Sequence, residues 1–209
     1  MAMFLAFTNL TRTPARTLDR AQQSTYRLAA GFILLAMAIA SPIGFLVALP
    51  QEQFTFTTIV GFVVVVLDIF VALLLIPILR SGGTSLASCA AALRVLYAIG
   101  LFTATILLVI RQDGEVFTQV WDYSLAIFGL HLIIAGIAMC RSPELPTIIG
   151  VLLLIAGAGY LFDSVTTIFR VETVSLSGFT FIGEVALLLW LLWSGFRLRG
   201  AHTPPVPND

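Results

Sequence analysis

Six long apolar runs are the feature that most constrains what this chain can fold into. They cover residues 28–49, 57–79, 86–110, 121–140, 146–165 and 178–198. A helix needs about 20 mostly apolar residues to cross the hydrocarbon core of a bilayer. Because lipid offers no hydrogen bonds to an exposed backbone, a spanning segment of this length is helical. The runs therefore predict an all-α integral membrane bundle of six transmembrane helices.

The composition excludes an ordinary water-soluble domain. Apolar residues make up 59% of the 209 residues and charged residues 11%, whereas typical globular chains have about 45–50% and about 25%. A core of this size cannot hide so much apolar surface from water, so we expect the lipid bilayer to be the main partner. The formal net charge is zero. It gives no global field that favours nucleic acid, and no nucleic-acid partner is predicted.

The apolar runs divide the chain into three parts. Residues 1–27 are predicted to form a basic cytoplasmic or interfacial N-terminal segment, residues 28–198 the six-span transmembrane domain, and residues 199–209 a disordered, proline-rich cytoplasmic tail. The connectors between the runs, such as "RSGGTS" and "RSPEL", are short and rich in turn residues. No second domain fits between the runs.

The placement of arginine predicts the orientation in the membrane. Cytoplasmic loops of membrane proteins carry an excess of Lys and Arg. Only Arg111 and Arg170 fall on one side of the predicted bundle. Eight arginines fall on the side of the termini: Arg12, Arg16, Arg20, Arg27, Arg80, Arg141, Arg197 and Arg199. We therefore expect a multi-pass protein of the cytoplasmic (plasma) membrane with both termini in the cytoplasm.

Ionisable residues interrupt each of the last five apolar runs, and five of these residues are candidates for the interior of the bundle. They are Asp68, Arg94, His131, Asp163 and Glu184. Residues at i, i+3, i+4 and i+7 share a face of a helix, and each of these residues shares its face with small residues such as alanine, glycine, serine or threonine. Small residues mark helix–helix contacts in membranes. We therefore expect the five ionisable side chains to point into the bundle.

The depths of these residues, at a rise of about 1.5 Å per residue, predict two groups. Asp68 and Arg94 are close enough in height for a salt bridge between the second and third spans. Asp163 and Glu184 lie at similar heights toward the outer end, where they form with His131 a titratable pocket that opens outward. Ionised, the set has two excess negative charges if His131 is neutral. A protonated carboxylate, a charged His131, or a bound cation or water-filled cavity would resolve that excess.

Motifs for catalysis are absent from the sequence. It contains no H-E-x-x-H, no G-x-S-x-G and no phosphate-binding glycine loop. The side chains of His131, Asp163 and Glu184 are suitable types of metal ligand, but they form no ligand-spacing motif, and no metal site is predicted. We therefore predict no catalytic residue and no cofactor, and an enzyme is the least favoured class of function.

The segments "ALRVLYAIGL", "GLHLIIAGIAMCRSPELPTIIGVLLLIAGAGYLFDS" and "GEVALLLWLL" stand in the last four runs. They resemble the hallmark segments of the bacterial and archaeal domain-of-unknown-function family 4386. The resemblance extends from the first span to the sixth and implies a polytopic membrane protein with no established activity. The family pattern matches here at Asp68, Arg94, Tyr97, His131, Gly150, Tyr160, Asp163 and Glu184. It adds two tyrosines to the candidate residues.

Two main interpretations of the polar residues remain open. In the first, the protein handles a small solute, an ion or a proton, or senses a ligand, through a pocket formed by Asp68, Arg94, Tyr97, His131, Tyr160, Asp163 and Glu184. In the second, the polar residues only hold the helices together by hydrogen bonds, and the small-residue faces of an accessory subunit bind another membrane protein. A membrane-embedded enzyme is a third interpretation. The sequence specifies neither the ligand, nor a protein partner, nor the oligomeric state.

Overall fold

The computed structural model describes residues 19–169 and 181–200, and every regular element in this part of the chain is a helix. Its long helices are α1 Arg20–Ser41, α2 Phe54–Leu79, α3 Thr84–Arg111, α4 Gly114–Arg141, α5 Thr147–Ile168 and α6 Ile182–Gly200. Short connecting segments join the consecutive helices from α1 to α5, as the sequence predicts. The expected all-α bundle is therefore confirmed.

Five of these helices, with the short helical turns that extend them, are long and apolar enough to cross a membrane: Arg20–Gln51, Phe54–Gly82, Thr84–Arg111, Gly114–Arg141 and Thr147–Ile168. The sixth helix, α6, has 19 residues and carries three charged side chains. Large apolar side chains lie on the outside of the bundle, where Leu46, Ile110 and Ile148 are 66%, 71% and 72% exposed. An apolar exterior of this kind suits lipid rather than water. The chain is a multi-pass membrane protein.

The helices form a closed ring in chain order. Each of α1 to α5 packs against the next helix along the chain, and α6 packs against α5 and also against α1. At one end of the ring, Ser24 Oγ of α1 donates a hydrogen bond to the carbonyl oxygen of Gly195 on α6 at 2.8 Å. At the other end, Gly114 begins α4 beside Leu49 and Phe54, which flank the α1–α2 turn. We call this second end the predicted outer end.

The first helix begins before the predicted boundary at residue 28. Residues 20–27 belong to α1 and continue directly into its apolar part. The Gln22 side chain accepts a hydrogen bond from the Asp19 backbone N–H at 3.3 Å, which is one contact of a capping box and fixes the helix start. Residues 1–18, 170–180 and 201–209 lie outside the described part, and with them the predicted tail and the arginines Arg12, Arg16 and Arg170.

The helical segment that follows α1 directly departs from regular α-helix. Pro42–Ala48 form a π-helical segment, which begins at a proline that has no N–H for the α-helical hydrogen bond. Thr57 Oγ1 of α2 donates a hydrogen bond to the Gly44 carbonyl oxygen in this segment at 3.1 Å. The Phe45 ring packs against the Trp121 ring of α4, with 5.1 Å between centroids. The segment therefore closes the predicted outer end of the bundle on the side of α4.

Glycines bring α4 and α5 into backbone contact. A Cβ atom added to Gly129 would lie 2.7 Å from the carbonyl oxygen of Gly157, and one added to Gly136 would lie 2.7 Å from that of Gly150. No side chain fits at either distance. The expectation that small residues mark helix–helix contacts is confirmed for this pair of helices, and these glycine faces are occupied inside the protein.

Candidate functional site

An ion pair joins α2 and α3 in the interior of the bundle. Arg94 Nη2 lies 2.7 Å from Asp68 Oδ1, and the two residues are 3% and 0% exposed. The positions one turn away on each helix are small and buried, Ala72 on α2 and Ala91 on α3. They leave room for the long arginine side chain to reach across. The salt bridge that the depths of these residues predict is therefore present.

His131 of α4 contacts the other side of the same guanidinium. Its Nε2 lies 3.3 Å from Arg94 Nη1, and its Nδ1 lies 2.8 Å from the Ala90 carbonyl oxygen. A guanidinium only donates and a carbonyl only accepts. Nε2 must therefore accept and Nδ1 must donate, so His131 is the neutral Nδ1–H tautomer. Of the three ways to resolve the excess negative charge, a charged His131 is excluded by these two contacts.

A second carboxyl group enters the interior from α6. Tyr160 of α5 donates its hydroxyl hydrogen to Glu184 Oε1 at 2.7 Å, and both residues are partly buried. The Tyr160 ring also packs against the Phe128 ring, which in turn contacts the Arg94 guanidinium. The side chains of α5 and α6 therefore reach the same interior region as the ion pair of α2 and α3.

The Phe128 ring of α4 fills the space between these groups. Its centroid lies 4.8 Å from that of Tyr97, 5.7 Å from that of His131 and 5.4 Å from that of Tyr160. The Arg94 guanidinium carbon lies 5.3 Å from the same centroid, within the range of a cation–π contact. Sequence reasoning missed Phe128 because it is apolar, although its position three residues before His131 places it on the same helical face.

Six of the seven predicted site residues therefore meet in one place. We call this group the intramembrane cluster: Asp68, Arg94, Tyr97, His131, Tyr160 and Glu184. Its members come from α2, α3, α4, α5 and α6. The Tyr97 hydroxyl also accepts a hydrogen bond from Trp121 Nε1 at 3.2 Å, which links the cluster to the π-helical segment through the contact between Trp121 and Phe45.

Asp163, the seventh predicted residue, lies about one turn beyond Tyr160 toward the predicted outer end. It interacts electrostatically with Tyr160 and with Asp122 of α4. Ser164 Oγ donates a hydrogen bond to the Asp122 carbonyl oxygen at 2.9 Å. The sequence grouped Asp163 with His131 and Glu184, and the structure also brings it near Asp122, a residue that sequence reasoning missed. The signal for Asp122 was its place in the first turns of the fourth apolar run.

The cluster retains hydrogen-bonding capacity that the described residues do not use. Asp68 Oδ2 and Arg94 Nε are buried and make no hydrogen bond to any residue in the described ranges. Oδ1 of Asp68 contacts Arg94 at salt-bridge distance without hydrogen-bond geometry. In residues 19–169 and 181–200, no group of three or more His, Cys, Asp or Glu side chains is placed to bind a metal ion.

Comparison with known proteins agrees with the resemblance seen in the sequence. The model of the family described as "Domain of unknown function (DUF4386)" matches residues 46–195. The chain belongs to the DUF4386 family. An uncharacterized protein of Archaeoglobus fulgidus is 30% identical to this DUF4386 protein over 152 residues, which are 72% of this chain and 91% of the archaeal one. No solved structure matches the chain.

All members of the intramembrane cluster, and Asp122 and Asp163, lie inside the region that the DUF4386 model matches. The family description names no reaction and no ligand. The chemistry of the intramembrane cluster is therefore the guide to the function of this DUF4386 protein.

Proposed function

We propose that this DUF4386 protein of the plasma membrane handles a single small cation, a proton or a monovalent metal ion, at the intramembrane cluster. The observation that carries the proposal is that two carboxyl groups lie in an interior region that holds one arginine. Asp68 pairs with Arg94 directly, Glu184 reaches the same region through Tyr160 and the Phe128 ring that Arg94 contacts, and His131 is neutral. When both carboxyl groups are ionised, the cluster has one negative charge in excess.

The cost of an uncompensated charge supports this proposal over a purely structural role. Removing an ion from water costs several kcal/mol even after relaxation of the protein, and a buried pair recovers this only with good geometry and further hydrogen bonds. Hydrogen bonds between membrane helices contribute only about 0.6 kcal/mol on average. A second carboxyl group beside one arginine is therefore an expensive way to hold helices together, whereas a bound cation or proton offsets its charge.

The accessory-subunit alternative is weaker because the small-residue faces have another use. The glycines of α4 and α5 pack against each other, and the alanines of α3 that share a face with Arg94 are buried within the bundle. These faces are therefore not open to a second membrane protein. Intramembrane ionisable residues, by contrast, commonly mark ion pathways and proton relays.

Ion uptake by proteoliposomes tests the proposal. The full chain is reconstituted in vesicles, and internal pH and sodium or potassium uptake are followed under an imposed ion gradient or membrane potential. We expect the wild type to move one of these cations and Glu184→Gln to lose that movement. Glu115→Gln is the matched control, because Glu115 is exposed at the start of α4 and is not part of the cluster.

Two results would contradict the proposal. One is a wild-type protein that moves and binds none of these cations. The other is a Glu184→Gln variant that retains full cation movement while only its thermal stability falls, which supports a structural role. Isolation of the wild type with one stoichiometric membrane-protein partner, together with either result, would favour the accessory-subunit interpretation.

A further inference from the structure

We infer that Asp68 and Glu184 hold one proton between them, with Arg94 as their common counter-ion. The proton resides on Glu184 while Arg94 pairs with Asp68. This inference deepens the proposed function by naming the proton as the cation. It rests on the charges and contacts of the cluster, which are independent of whether the protein transports anything.

The titratable groups in the region of Arg94 come from five helices. α2 supplies Asp68, α3 supplies Tyr97, α4 supplies His131, α5 supplies Tyr160 and α6 supplies Glu184. The two tyrosines are neutral at ordinary pH, and the contacts of His131 require its neutral form. The charge balance of this region therefore depends on one guanidinium and two carboxyl groups, with Asp122 and Asp163 as the nearest further acids toward the predicted outer end.

The contacts of the two carboxyl groups allow Glu184 to carry the proton. Asp68 Oδ1 lies 2.7 Å from Arg94 Nη2, a distance typical of a charge-assisted contact with an ionised carboxylate. Glu184 Oε1 instead accepts a hydrogen bond from the neutral Tyr160 hydroxyl at 2.7 Å. A carboxylic acid accepts that bond through its carbonyl oxygen as well as a carboxylate does. Oε2 of Glu184 then carries the proton without loss of the Tyr160 contact.

The geometry also favours a proton over a metal ion. Hard metal cations in proteins take several oxygen ligands at once. Within the described ranges, the His, Cys, Asp and Glu side chains do not gather in groups of three around a common point. A proton needs only one oxygen, so the Glu184 side chain alone is sufficient to hold it.

A proton shared by Asp68 and Glu184 has a consequence that a proton held by Glu184 alone does not have. With one arginine and two carboxyl groups, removal of either carboxyl group leaves the remaining one free to pair with Arg94 in its ionised form. The protonated carboxyl group is therefore lost in Glu184→Gln, and it is also lost in Asp68→Asn, because Arg94 then turns to Glu184. A proton that depended only on the surroundings of Glu184 would survive Asp68→Asn.

Infrared difference spectroscopy of the full chain in lipid vesicles tests this inference at neutral pH. The C=O stretching band of a protonated carboxyl group is separate from the bands of carboxylates. We expect one such band in the wild type, and we expect it to shift when the protein carries carbon-13-labelled glutamate. The band is absent from Glu184→Gln and from Asp68→Asn and unchanged in the control Glu115→Gln. Tyr160→Phe keeps the band at a higher frequency, because one hydrogen bond to the carbonyl oxygen is lost.

Three outcomes would overturn the inference: no band in the wild type, a band of full intensity in Asp68→Asn, or loss of the band in Tyr160→Phe. If Asp68→Asn does not fold, Asp68→Ser takes its place with the same expected loss of the band, and Tyr160→Phe and glutamate labelling still decide whether Glu184 carries the proton. A negative result in the infrared experiment and a negative result in the uptake experiment have different consequences. Sodium uptake that depends on Glu184, without the band, would leave the proposed function intact and exclude the shared proton. The complete set of band changes without cation uptake would support the shared proton and contradict the proposed function.

Discussion

At the residue scale, Arg94 organises the interior of the bundle. Its guanidinium contacts Asp68, His131 and the Phe128 ring at the same time. Arginine suits this place because its planar fork presents several donors in fixed directions, whereas a lysine presents one compact charge. The surrounding groups therefore depend on the shape of the guanidinium as well as on its charge.

Removal of Arg94 is expected to be more harmful than removal of Asp68. Arg94→Met leaves two carboxyl groups without a cation and costs about 3–5 kcal/mol of stability, as breaking a buried pair typically does. Asp68→Asn costs less, because Arg94 can still pair with Glu184. Thermal or denaturant unfolding of the two variants in the same detergent measures the difference. Equal losses of stability would contradict the view that Arg94 serves two carboxyl groups.

His131 is expected to be the neutral Nδ1–H tautomer at neutral pH, because Arg94 and the Ala90 carbonyl oxygen leave no other arrangement. Nitrogen-15 NMR of the histidine-labelled protein distinguishes a protonated Nδ1 from a bare Nε2. The chain has two histidines, so His131→Gln assigns the signals. A doubly protonated His131 would be inconsistent with its contact with Arg94.

At the residue scale, the sequence predicted the contacts that follow from the depth and the charge of the residues alone. The height of Asp68 and Arg94 predicted their ion pair, and helical spacing predicted that His131 points inward. It could not assign His131 to Arg94 rather than to Asp163, because that depends on how α3 and α4 rotate about their axes. Phe128 was missed because an aromatic ring in an apolar run carries no signal that separates it from its neighbours.

At the element scale, the small residues decide how closely the helices approach. The apolar runs predicted both ends of α2, α3 and α5 and the end of α4 within three residues, but α4 begins at Gly114, seven residues before the predicted run. The π-helical segment Pro42–Ala48 was not predicted, because a proline in an apolar run is compatible with a kink, a break or an altered turn. Which of these three forms at the proline depends on the residues that contact this segment, among them Thr57, whose hydroxyl binds the Gly44 carbonyl oxygen.

A side chain at Gly157 is expected to separate α4 from α5. A Cβ atom there would lie 2.5 Å from the Gly129 carbonyl oxygen, and such overpacking typically costs about 1–3 kcal/mol. We expect Gly157→Val to lower the unfolding temperature clearly. Gly200→Ala is the matched control, because a Cβ atom at Gly200 would meet no atom within 4 Å. Similar unfolding temperatures for the two variants would show that α4 and α5 are not in backbone contact.

At the scale of the whole molecule, the ring of helices brings together residues that are far apart in the chain. Glu184 reaches the interior region of Asp68 because α6 returns to close the ring against α1. The sequence predicted the number and type of the helices, since length and apolar character determine both. It did not predict the closure, because the apolar faces of α1 and α6 suit lipid as well as each other. Which helices lie next to each other depends on how their side chains pack, and hydropathy does not predict this packing.

The two ends of the molecule are expected to face opposite compartments, with both termini in the cytoplasm. The test uses a variant without Cys89 and Cys140 that carries either Glu115→Cys at the predicted outer end or Pro143→Cys at the other end, both exposed positions. A membrane-impermeant maleimide added to intact cells should label Cys at 115 and leave Cys at 143 unlabelled until the cells are opened. The reverse pattern would invert the predicted orientation.

The central claim is that polar and charged side chains from five helices converge in the interior of a bundle that lipid surrounds. An experimental structure of the full chain, crystallised from a lipidic mesophase, tests it most directly. The account predicts Arg94 within salt-bridge distance of Asp68, His131 on the same guanidinium, and Glu184 facing inward on the Tyr160 hydroxyl. A structure in which Asp68, Arg94 or Glu184 faces the acyl chains, or in which Glu184 lies apart from Arg94, would contradict it.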